Sequence, residues 1–295
     1  MNTKKIRVKD ILAYAAVYIS TGLTVLLLVG IIIYILFRGI GAVTPTFLTS
    51  VTSVLRGTVG IAGNIINTLY IVLISMVIAT PIGIGSAIYL NEYAKPGRLV
   101  TVIEFATETL SGIPSIIFGL FGMLFLGETL GFGYSIITGS LTLILMVLPM
   151  ITRNTQEALK TVPDSYRSGA IGLGAGKWHM IRTILLPSAI PGIMTGIVLS
   201  VGRIVSESAA LLFTAGSSKK IAESIFHSGG SMTVQLYLSA TSEGDFETAF
   251  GIAVVLLVLV LIINQVTKIF ARKLNANVSK TKNVLGKNST AVDSY

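Results

Sequence analysis

The sequence lacks cysteine and contains little charge. None of its 295 residues is cysteine and only His179 and His227 are histidine. Disulfides, thiolate metal sites and cysteine nucleophiles are therefore excluded, and a histidine metal cage is not expected. Charged residues make up 12% of the chain, whereas soluble domains carry about 25%. Together with a mean hydropathy of +0.81, this composition argues against a soluble enzyme and indicates a membrane protein.

Motifs for nucleotide binding and for catalysis are also missing. The glycines at 172, 174 and 176 do not follow the GxxxxGK[ST] pattern that cradles phosphate, and Lys177 is followed by Trp178. The charge-free runs contain neither paired carboxylates nor a Ser/His/Asp set. We therefore expect a chain that is not an enzyme and has no cofactor or metal.

Six charge-free runs are each long enough to cross a bilayer as a helix of about 20 residues. They are residues 11–37, 57–91, 109–127, 129–152, 183–202 and 248–267. The first run exceeds the h-region of a signal peptide and no A-x-A-like site follows it, so we expect it to stay as a membrane helix. The Ser- and Thr-rich runs 39–55 and 224–242 are predicted as outer loops, in part helical. The sequence thus predicts an all-α membrane protein with six transmembrane helices.

The net charge of +9 is distributed unevenly around these runs. Seventeen of the 22 Lys and Arg residues lie at the N-terminus, in the loops after the second and fourth runs, and in the C-terminal tail. The other side holds only Arg38, Arg56, Lys219 and Lys220, and Arg203 lies inside the fifth predicted membrane helix. The positive-inside rule predicts that both termini and the loop after the fourth run are cytoplasmic. The excess of positive charge then needs no nucleic acid to explain it.

The chain divides into three predicted parts. Residues 1–59 form an N-terminal segment with the first membrane helix and an outer loop, and residues 60–271 form the compact membrane domain. Residues 272–295 are rich in Asn, Ser, Thr and Lys, a composition that predicts a disordered tail.

The loop between the fourth and fifth runs, residues 153–187, is longer than most structureless connections. Apolar residues recur in it at helical spacing, and Pro163 and Pro187 mark predicted helix ends. One interpretation is a pair of amphipathic helices along the membrane surface. The other is a docking surface for a cytosolic partner, with Trp178 as its aromatic anchor. Periodicity alone does not decide between them.

Part of this loop resembles the EAA loop of ABC importer permeases. The stretch 174–187 begins with Gly-Ala, has a Trp four residues after its first glycine, and ends in Leu-Leu-Pro. The resemblance implies a coupling helix in a groove of an ATPase subunit, and it assigns this contact to Gly174, Ala175, Lys177, Trp178, His179, Leu186 and Pro187. The first half departs from the family, because Ser168-Gly169-Ala170 stands where Glu-Ala-Ala is usual. An ion pair of that glutamate is therefore not carried over.

Three further segments narrow the resemblance: residues 111–120, 202–209 and 233–237. Together with the loop they resemble the phosphate importer permeases, of the PstA type rather than the PstC type, over roughly residues 60–270. This implies the type I ABC importer permease fold in the cell membrane. It also implies a PstC-like second permease, two copies of a PstB-like ATPase and an extracytoplasmic PstS-like phosphate-binding protein. Gly112, Pro114 and Ser115 are candidates for a helix break, with close packing as the alternative for the glycine.

Charge inside the predicted membrane helices is nearly confined to Arg203 and Glu207, which are four residues apart and so lie on one face of a helix. We expect Arg203 a little past the middle of the bilayer, where a charged side chain faces a bundle interior or an aqueous path. Two roles stay open. The pair neutralises itself as part of the scaffold, or Arg203 binds phosphate in transit while Glu207 orients the guanidinium and keeps the anion from binding too tightly.

Three functions are consistent with these features. The first is the ATP-driven phosphate permease, and the second is the same machine with another oxyanion, such as sulfate or molybdate, as cargo. The third is an autonomous ion-coupled carrier or channel that uses Arg203 and Glu207 as its ion pair. An arginine by itself does not distinguish one oxyanion from another.

Overall fold

A computed structural model describes the backbone of residues 8–53 and 57–292, and the side chains of residues 12–53 and 57–269. Within these ranges the chain is almost entirely helical. The helices are α1 (Val8–Gly39), α2 (Pro45–Thr49), α3 (Ala62–Ile88), α4 (Arg98–Gly112), α5 (Ser115–Phe121), α6 (Ile136–Lys160), α7 (Asp164–Gly172), α8 (Lys177–Met180), α9 (Leu186–Val205), α10 (Ala209–Thr214), α11 (Met232–Thr241) and α12 (Phe246–Val292). A short antiparallel hairpin joins β1 (Val51–Ser53) to β2 (Thr58–Ile61), with Val51 opposite Ile61.

One 3-10 turn and three π-helical turns extend these helices. A 3-10 turn at Ile40–Ala42 continues α1, and π-helical turns lie at Tyr89–Tyr93, Gly122–Thr129 and Ile181–Leu185. The last of these joins α8 to α9, so the chain is helical from Lys177 to Val205. The prediction that Pro187 marks a helix end is therefore wrong. Proline has no N–H to donate to the preceding turn, and the π turn, with its Leu186 N–H to Ile181 C=O bond, accommodates it.

Five helical stretches in the described part of the chain are long and apolar enough to cross a membrane. They are Leu12–Ala42, Ala62–Tyr93, Ile136–Lys160, Lys177–Val205 and Phe246–Ile269. A bent pair, α4 followed by Ser115–Thr129, passes the same test only when its halves are taken together, and the two halves meet at 106°. Counted as one span, this pair is the sixth. The all-α membrane fold is confirmed, but the third run, 109–127, is not one straight span as predicted. It begins inside α4, and the chain turns sharply at Ile113 and Pro114.

Both predicted outer loops contain helix. Residues 39–55 include α2 and β1, and residues 224–242 include α11, whose first four residues are buried. The C-terminal part differs more from expectation, because α12 continues as helix through Val292 where the sequence predicts a disordered tail from residue 272. That tail contains no proline and one glycine, so no strong helix breaker follows the last span.

Three buried apolar clusters hold the helices together. The first joins α3, α5, α6, α9 and α10 around Leu143 and Leu211, and the third joins α2, β2, α11 and α12 around Ile252. The second cluster lies under the 153–187 loop and includes Leu159, Ile181 and Leu185. The loop is thus packed onto the ends of the spans, not extended from them.

Glycines allow the closest approaches between helices. A Cβ on Gly119 of α5 would lie 2.8 Å from the Cα of Ala210 in α10, and one on Gly83 of α3 would lie 2.6 Å from Cγ2 of Ile151 in α6. Small residues at such crossings are typical of membrane helices. By contrast, a Cβ on Gly112 would meet nothing within 4 Å, so close packing does not explain this glycine.

Candidate functional site

Arg203 and Glu207 lie beside each other where α9 ends. One guanidinium nitrogen, Nη2, is 3.8 Å from Oε2 of Glu207, and it is 3.9 Å from Sδ of Met146 on α6. The Arg203 side chain is 50% exposed, whereas that of Glu207 is 6% exposed. The structure thus brings the two predicted residues together, but Arg203 lies in the last turn of α9 and Glu207 lies in the break after it, whereas the sequence suggested a single helix. α9 ends at Val205 and α10 begins at Ala209.

The neighbouring helices hold Glu207 in place. Its Oε1 accepts a hydrogen bond from the Ala210 N–H at 3.2 Å, close to the start of α10. Its backbone carbonyl accepts a hydrogen bond of 2.7 Å from the Thr233 hydroxyl of α11. A carboxylate at a helix N-terminus is favoured by the unpaired N–H groups and the helix dipole. Glu207 is therefore a fixed acceptor that faces the guanidinium.

The guanidinium itself is weakly engaged. A contact of 3.8 Å is longer than a charge-assisted hydrogen bond of about 2.7–2.9 Å, and a thioether is a weak acceptor. Neither contact is the short, bidentate geometry that a purely scaffolding arginine and carboxylate would adopt. Arg203 therefore retains N–H donors for an anion, and it lies next to the non-helical residues 206–208, as at the broken helices that line transporter cavities.

The bent helix pair places the second group of predicted residues. α4 ends at Gly112, Pro114 follows the bend residue Ile113, and α5 begins at Ser115. The bend opens an apolar cleft of about 390 Å³ against α6, lined by Leu110, Ile113, Ile117, Phe118, Phe121, Leu145, Leu148 and Pro149. No polar side chain lines this cleft, so the bend itself offers no anion site.

A second cleft, of about 200 Å³, is polar and lies between α4 and the last turns of α6. Glu104 and Glu108 line it from α4, and Arg153, Glu157 and Lys160 line it from α6. Lys160 pairs with Glu157 at 3.1 Å. The cleft adjoins the end of α3 through Leu90 and lies at the same end of the molecule as the 153–187 loop. It offers both charges and therefore no clear preference for an anion.

The 171–187 segment forms a turn followed by a helix. Gly174 has a positive φ of 78°, which favours glycine, and its N–H and that of Ala175 bond back to the carbonyls of Ile171 and Ala170. Gly176 precedes α8, and its carbonyl accepts from the Met180 N–H. The residues named by the resemblance thus lie on one compact turn and helix start, except Leu186 and Pro187, which lie one π turn further on.

Large apolar side chains are exposed on this turn. Leu173 is 91% exposed, Ile171 63% and Trp178 58%, and His179 is exposed next to Trp178. Their buried neighbours Ala170, Met180 and Ile181 form the packed face. Ile171 and Trp178 are thus exposed, whereas Ile181 is fully buried. An exposed apolar group on a cytosolic or interfacial surface calls for a partner or lipid.

Sequence reasoning missed an ion pair beneath the turn. Arg167 of α7 pairs with Glu92, 75 residues earlier, at 2.9 Å, and it pairs with Asp164 at 3.0 Å. Glu92 stands just after the second charge-free run, so the signal available was one acidic residue at the end of a span. Its partner could not be read from spacing, because the contact is between distant parts of the chain.

The start of α3 holds the loop between α10 and α11. Asn67 donates from Nδ2 to the Lys220 carbonyl at 2.9 Å and accepts from the Ala222 N–H at 3.0 Å. Asn64 donates to the Gly230 carbonyl, and Thr68 accepts from the Met232 N–H. These side chains therefore fix a loop on a helix end.

Comparison with known proteins identifies the family. Residues 79–279 match the family described as "Binding-protein-dependent transport system inner membrane component". The chain belongs to this family. It is a multi-pass membrane component of a transport system, and the expectation that it is a translocation subunit and not an enzyme is confirmed. Binding-protein dependence also argues against an autonomous ion-coupled carrier.

Individual relatives agree with this assignment. The chain is 37% identical over 210 residues to the probable ABC transporter permease protein YqgI of Bacillus subtilis, with 71% of each chain covered. It is 34% identical over 271 residues to the phosphate transport system permease protein PstA 1 of Mycobacterium tuberculosis, covering 89% of this chain and 88% of the relative. The resemblance to ABC importer permeases of the PstA type is thus confirmed.

Solved structures show the same fold. A chain in the crystal structure of a bacterial alginate ABC transporter superposes with a TM-score of 0.68 at 15% identity, covering 90% of this chain and 96% of that one. A chain of the MetNI methionine ABC transporter superposes with a TM-score of 0.59, covering 70% of this chain and 93% of that one. At these identities the likeness concerns the fold alone.

Proposed function

We propose that this chain is the PstA-type permease subunit of an ATP-driven phosphate importer. With a PstC-like second permease it forms the path for inorganic phosphate delivered by an extracytoplasmic PstS-like binding protein. Two copies of a PstB-like ATPase drive the transport, one of them through the 171–187 segment. Both termini and the 153–187 loop face the cytoplasm, because seventeen basic residues lie on that side.

The geometry of Arg203 carries the proposal. Its guanidinium is half exposed at a helix break, has long contacts only to Glu207 and Met146 among the described residues, and is far from the basic residues of the loops in sequence. A guanidinium presents several N–H donors that match the oxygens of phosphate. Glu207, held by Ala210 and Thr233, keeps that guanidinium in one place and partly neutralises it, so that an anion can leave again.

The proposal that the cargo is phosphate rests on the relatives as well as on Arg203. The Mycobacterium tuberculosis relative is named a phosphate transport system permease protein and aligns with nearly nine tenths of this chain. The name of YqgI states no cargo. Because an arginine accepts other tetrahedral anions as well, sulfate and molybdate are the alternative cargoes.

The proposal is tested on the complete transporter in proteoliposomes, with labelled phosphate offered alone and in competition with sulfate and molybdate. We expect ATP-dependent phosphate uptake that neither competitor suppresses. Arg203→Ala should lower it about tenfold or more, since a hydrogen bond to a charged group contributes about 1.5–3 kcal/mol. Lys220→Ala, which removes an exposed cation from the outer loop, is the matched control and should transport normally. Uptake of sulfate or molybdate in place of phosphate would change the cargo, and normal uptake by an assembled Arg203→Ala complex would leave the arginine only a scaffold role.

A further inference from the structure

Arg167 joins three helices at the end of the molecule that carries the 171–187 segment. Its Nη2 donates to Oε1 of Glu92 at 2.9 Å, just beyond α3, and to the Leu159 carbonyl of α6 at 3.1 Å. Its Nη1 donates to the Val162 carbonyl and to Asp164, both at 3.0 Å. The guanidinium thus caps the C-terminal end of α6 and binds the start of α7, and its remaining contact, with Glu92, joins both to the end of α3.

The two carboxylates on Arg167 differ in burial. The Glu92 side chain is 6% exposed, and its Oε1 also accepts from Nδ2 of Asn91 at 2.8 Å. The Asp164 side chain is 93% exposed. Water screens the exposed pair, while a buried pair with short hydrogen bonds is costly to separate once formed. The contact with Glu92 is therefore the one that holds its geometry when the neighbouring elements move.

A second contact joins the same two parts of the chain. The ammonium group of Lys177, at the start of α8, lies 4.9 Å from the ring centroid of Tyr93. Glu92 and Tyr93 both belong to the π turn that ends α3, so α7 and α8 are each attached to it by a separate polar contact. In the sequence, α7 and α8 connect α6 to α9. Their link to the end of α3 is therefore made only by contacts in the folded structure.

We propose that the Glu92–Arg167 pair couples α3 to the 153–187 loop, so that the end of α3 and α7 move as one rigid body during the ATP cycle. Glu92 and Arg167 are positioning residues: they touch neither cargo nor ATP, and they carry the displacement of the loop to a third span. Asn67 and Thr68 at the other end of α3 hold the outer loop, so a displacement of α3 reaches both faces of the membrane domain. This inference rests on the proposed coupling of the loop to an ATPase.

The absence of cysteine allows a direct test by spin-label distances. Labels are attached to Lys95→Cys, just after the end of α3, and to Ser165→Cys on α7, both at exposed positions, in the complete complex with its ATPase. We expect one narrow distance distribution that is the same without nucleotide and with trapped ATP. With Glu92→Ala added, the distribution should broaden or shift on ATP binding, while Asp164→Ala, which removes the exposed carboxylate, should leave it unchanged. Glu92→Gln, which removes the charge of the pair and keeps the side-chain size, serves if the alanine variant does not assemble, and it should broaden or shift the distribution in the same direction.

Transport per ATP is the second measurement. Glu92→Ala should lower the phosphate imported per ATP hydrolysed several-fold, with the ATPase rate and the co-purified ATPase near the wild-type level. An unchanged label distribution in Glu92→Ala and Glu92→Gln, or a wild-type distance that changes with ATP, would overturn the proposal. A parallel loss of assembly, ATPase activity and uptake at a lower melting temperature would assign the pair a structural role and overturn it too. The label distances require no cargo, so failure of the wild type to import phosphate refutes the proposed cargo and leaves this test intact.

Discussion

The carboxylate of Glu207 faces the guanidinium of Arg203 across a helix end, at 3.8 Å, and at the same time accepts a hydrogen bond from the N–H of Ala210. Glu207 is thus anchored by α10, which follows it, and Arg203 projects from α9, which precedes it. Because Arg203 belongs to α9 and Glu207 lies in the break at 206–208, a change in this break alters their separation directly.

Glu207→Gln is predicted to leave the complex assembled and to impair transport. The amide oxygen of glutamine replaces Oε1 as acceptor for Ala210, so the helix contact survives while the charge beside Arg203 is lost. Without the carboxylate the guanidinium binds anions more tightly and releases them more slowly. Uptake kinetics should show a lower maximal rate with an unchanged or lower half-saturation concentration. An unchanged maximal rate in the assembled variant would contradict this role.

The membrane crossings could be predicted from the sequence because a helix in lipid must be nearly free of charge over about 20 residues. Pro114 similarly pointed to the break between α4 and α5, because a proline disfavours helix in the residue before it. The angle of 106° could not be predicted, since it follows from how α5 packs on α10 and α6. A proline says where a helix is interrupted and not in which direction the chain continues.

The two charged pairs show more clearly which contacts cannot be predicted from a single sequence. Arg203 and Glu207 are four residues apart, so their proximity was readable, but the end of α9 at Val205 was not, because the contacts of residue 207 with Ala210 and Thr233 fix it. Glu92 and Arg167 are 75 residues apart, and no local pattern connects them. Long-range pairing of this kind depends on helix packing, which a single sequence does not specify.

Trp178→Ala is predicted to weaken attachment of the ATPase without unfolding the permease. The indole is 58% exposed in the described chain, so its loss leaves no internal cavity, while buried aromatic anchors at interfaces are worth about 2–4 kcal/mol. Phe226→Ala, at 57% exposure on the outer loop, is the matched control. Co-purification of the ATPase should fall with the first variant only, and equal retention in both would refute the docking role.

Gly119→Ala is predicted to destabilise the membrane domain. The new methyl group would lie 2.8 Å from the Cα of Ala210, and backbone cannot yield as a flexible side chain can, so we expect a loss of about 1–3 kcal/mol. Gly112→Ala has open space around the new methyl group and should be neutral. Thermal unfolding in detergent compares the two variants. Equal melting temperatures would show that α5 and α10 can move apart without a loss of stability.

Asn67→Ala is predicted to loosen the outer loop between α10 and α11. The substitution leaves the buried N–H of Ala222 and the carbonyl of Lys220 without their side-chain partner, and each such loss costs about 1–3 kcal/mol. Because Lys219 and Lys220 lie in this loop, trypsin should cleave there faster than in the wild type. Identical cleavage rates would mean that Asn64 and Thr68 hold the loop alone.

Stability should depend on pH through Asp245, which precedes α12. The hydroxyl of Thr248, and then its N–H at 3.0 Å, hold the pKa of this carboxyl below its ordinary value. The ionised form therefore stabilises the fold above the unfolded pKa of about 3.9, and this contribution disappears as the pH falls through the lower folded value. Asp245→Ala should lose about 1 kcal/mol near neutral pH, as for other helix N-caps. The gap in melting temperature between the wild type and the alanine variant should narrow as the pH falls below about 4, while Asp245→Asn, which caps without titrating, should keep a pH-independent advantage over alanine. A constant gap between wild type and alanine down to acid pH would show that the charge of Asp245 does not contribute.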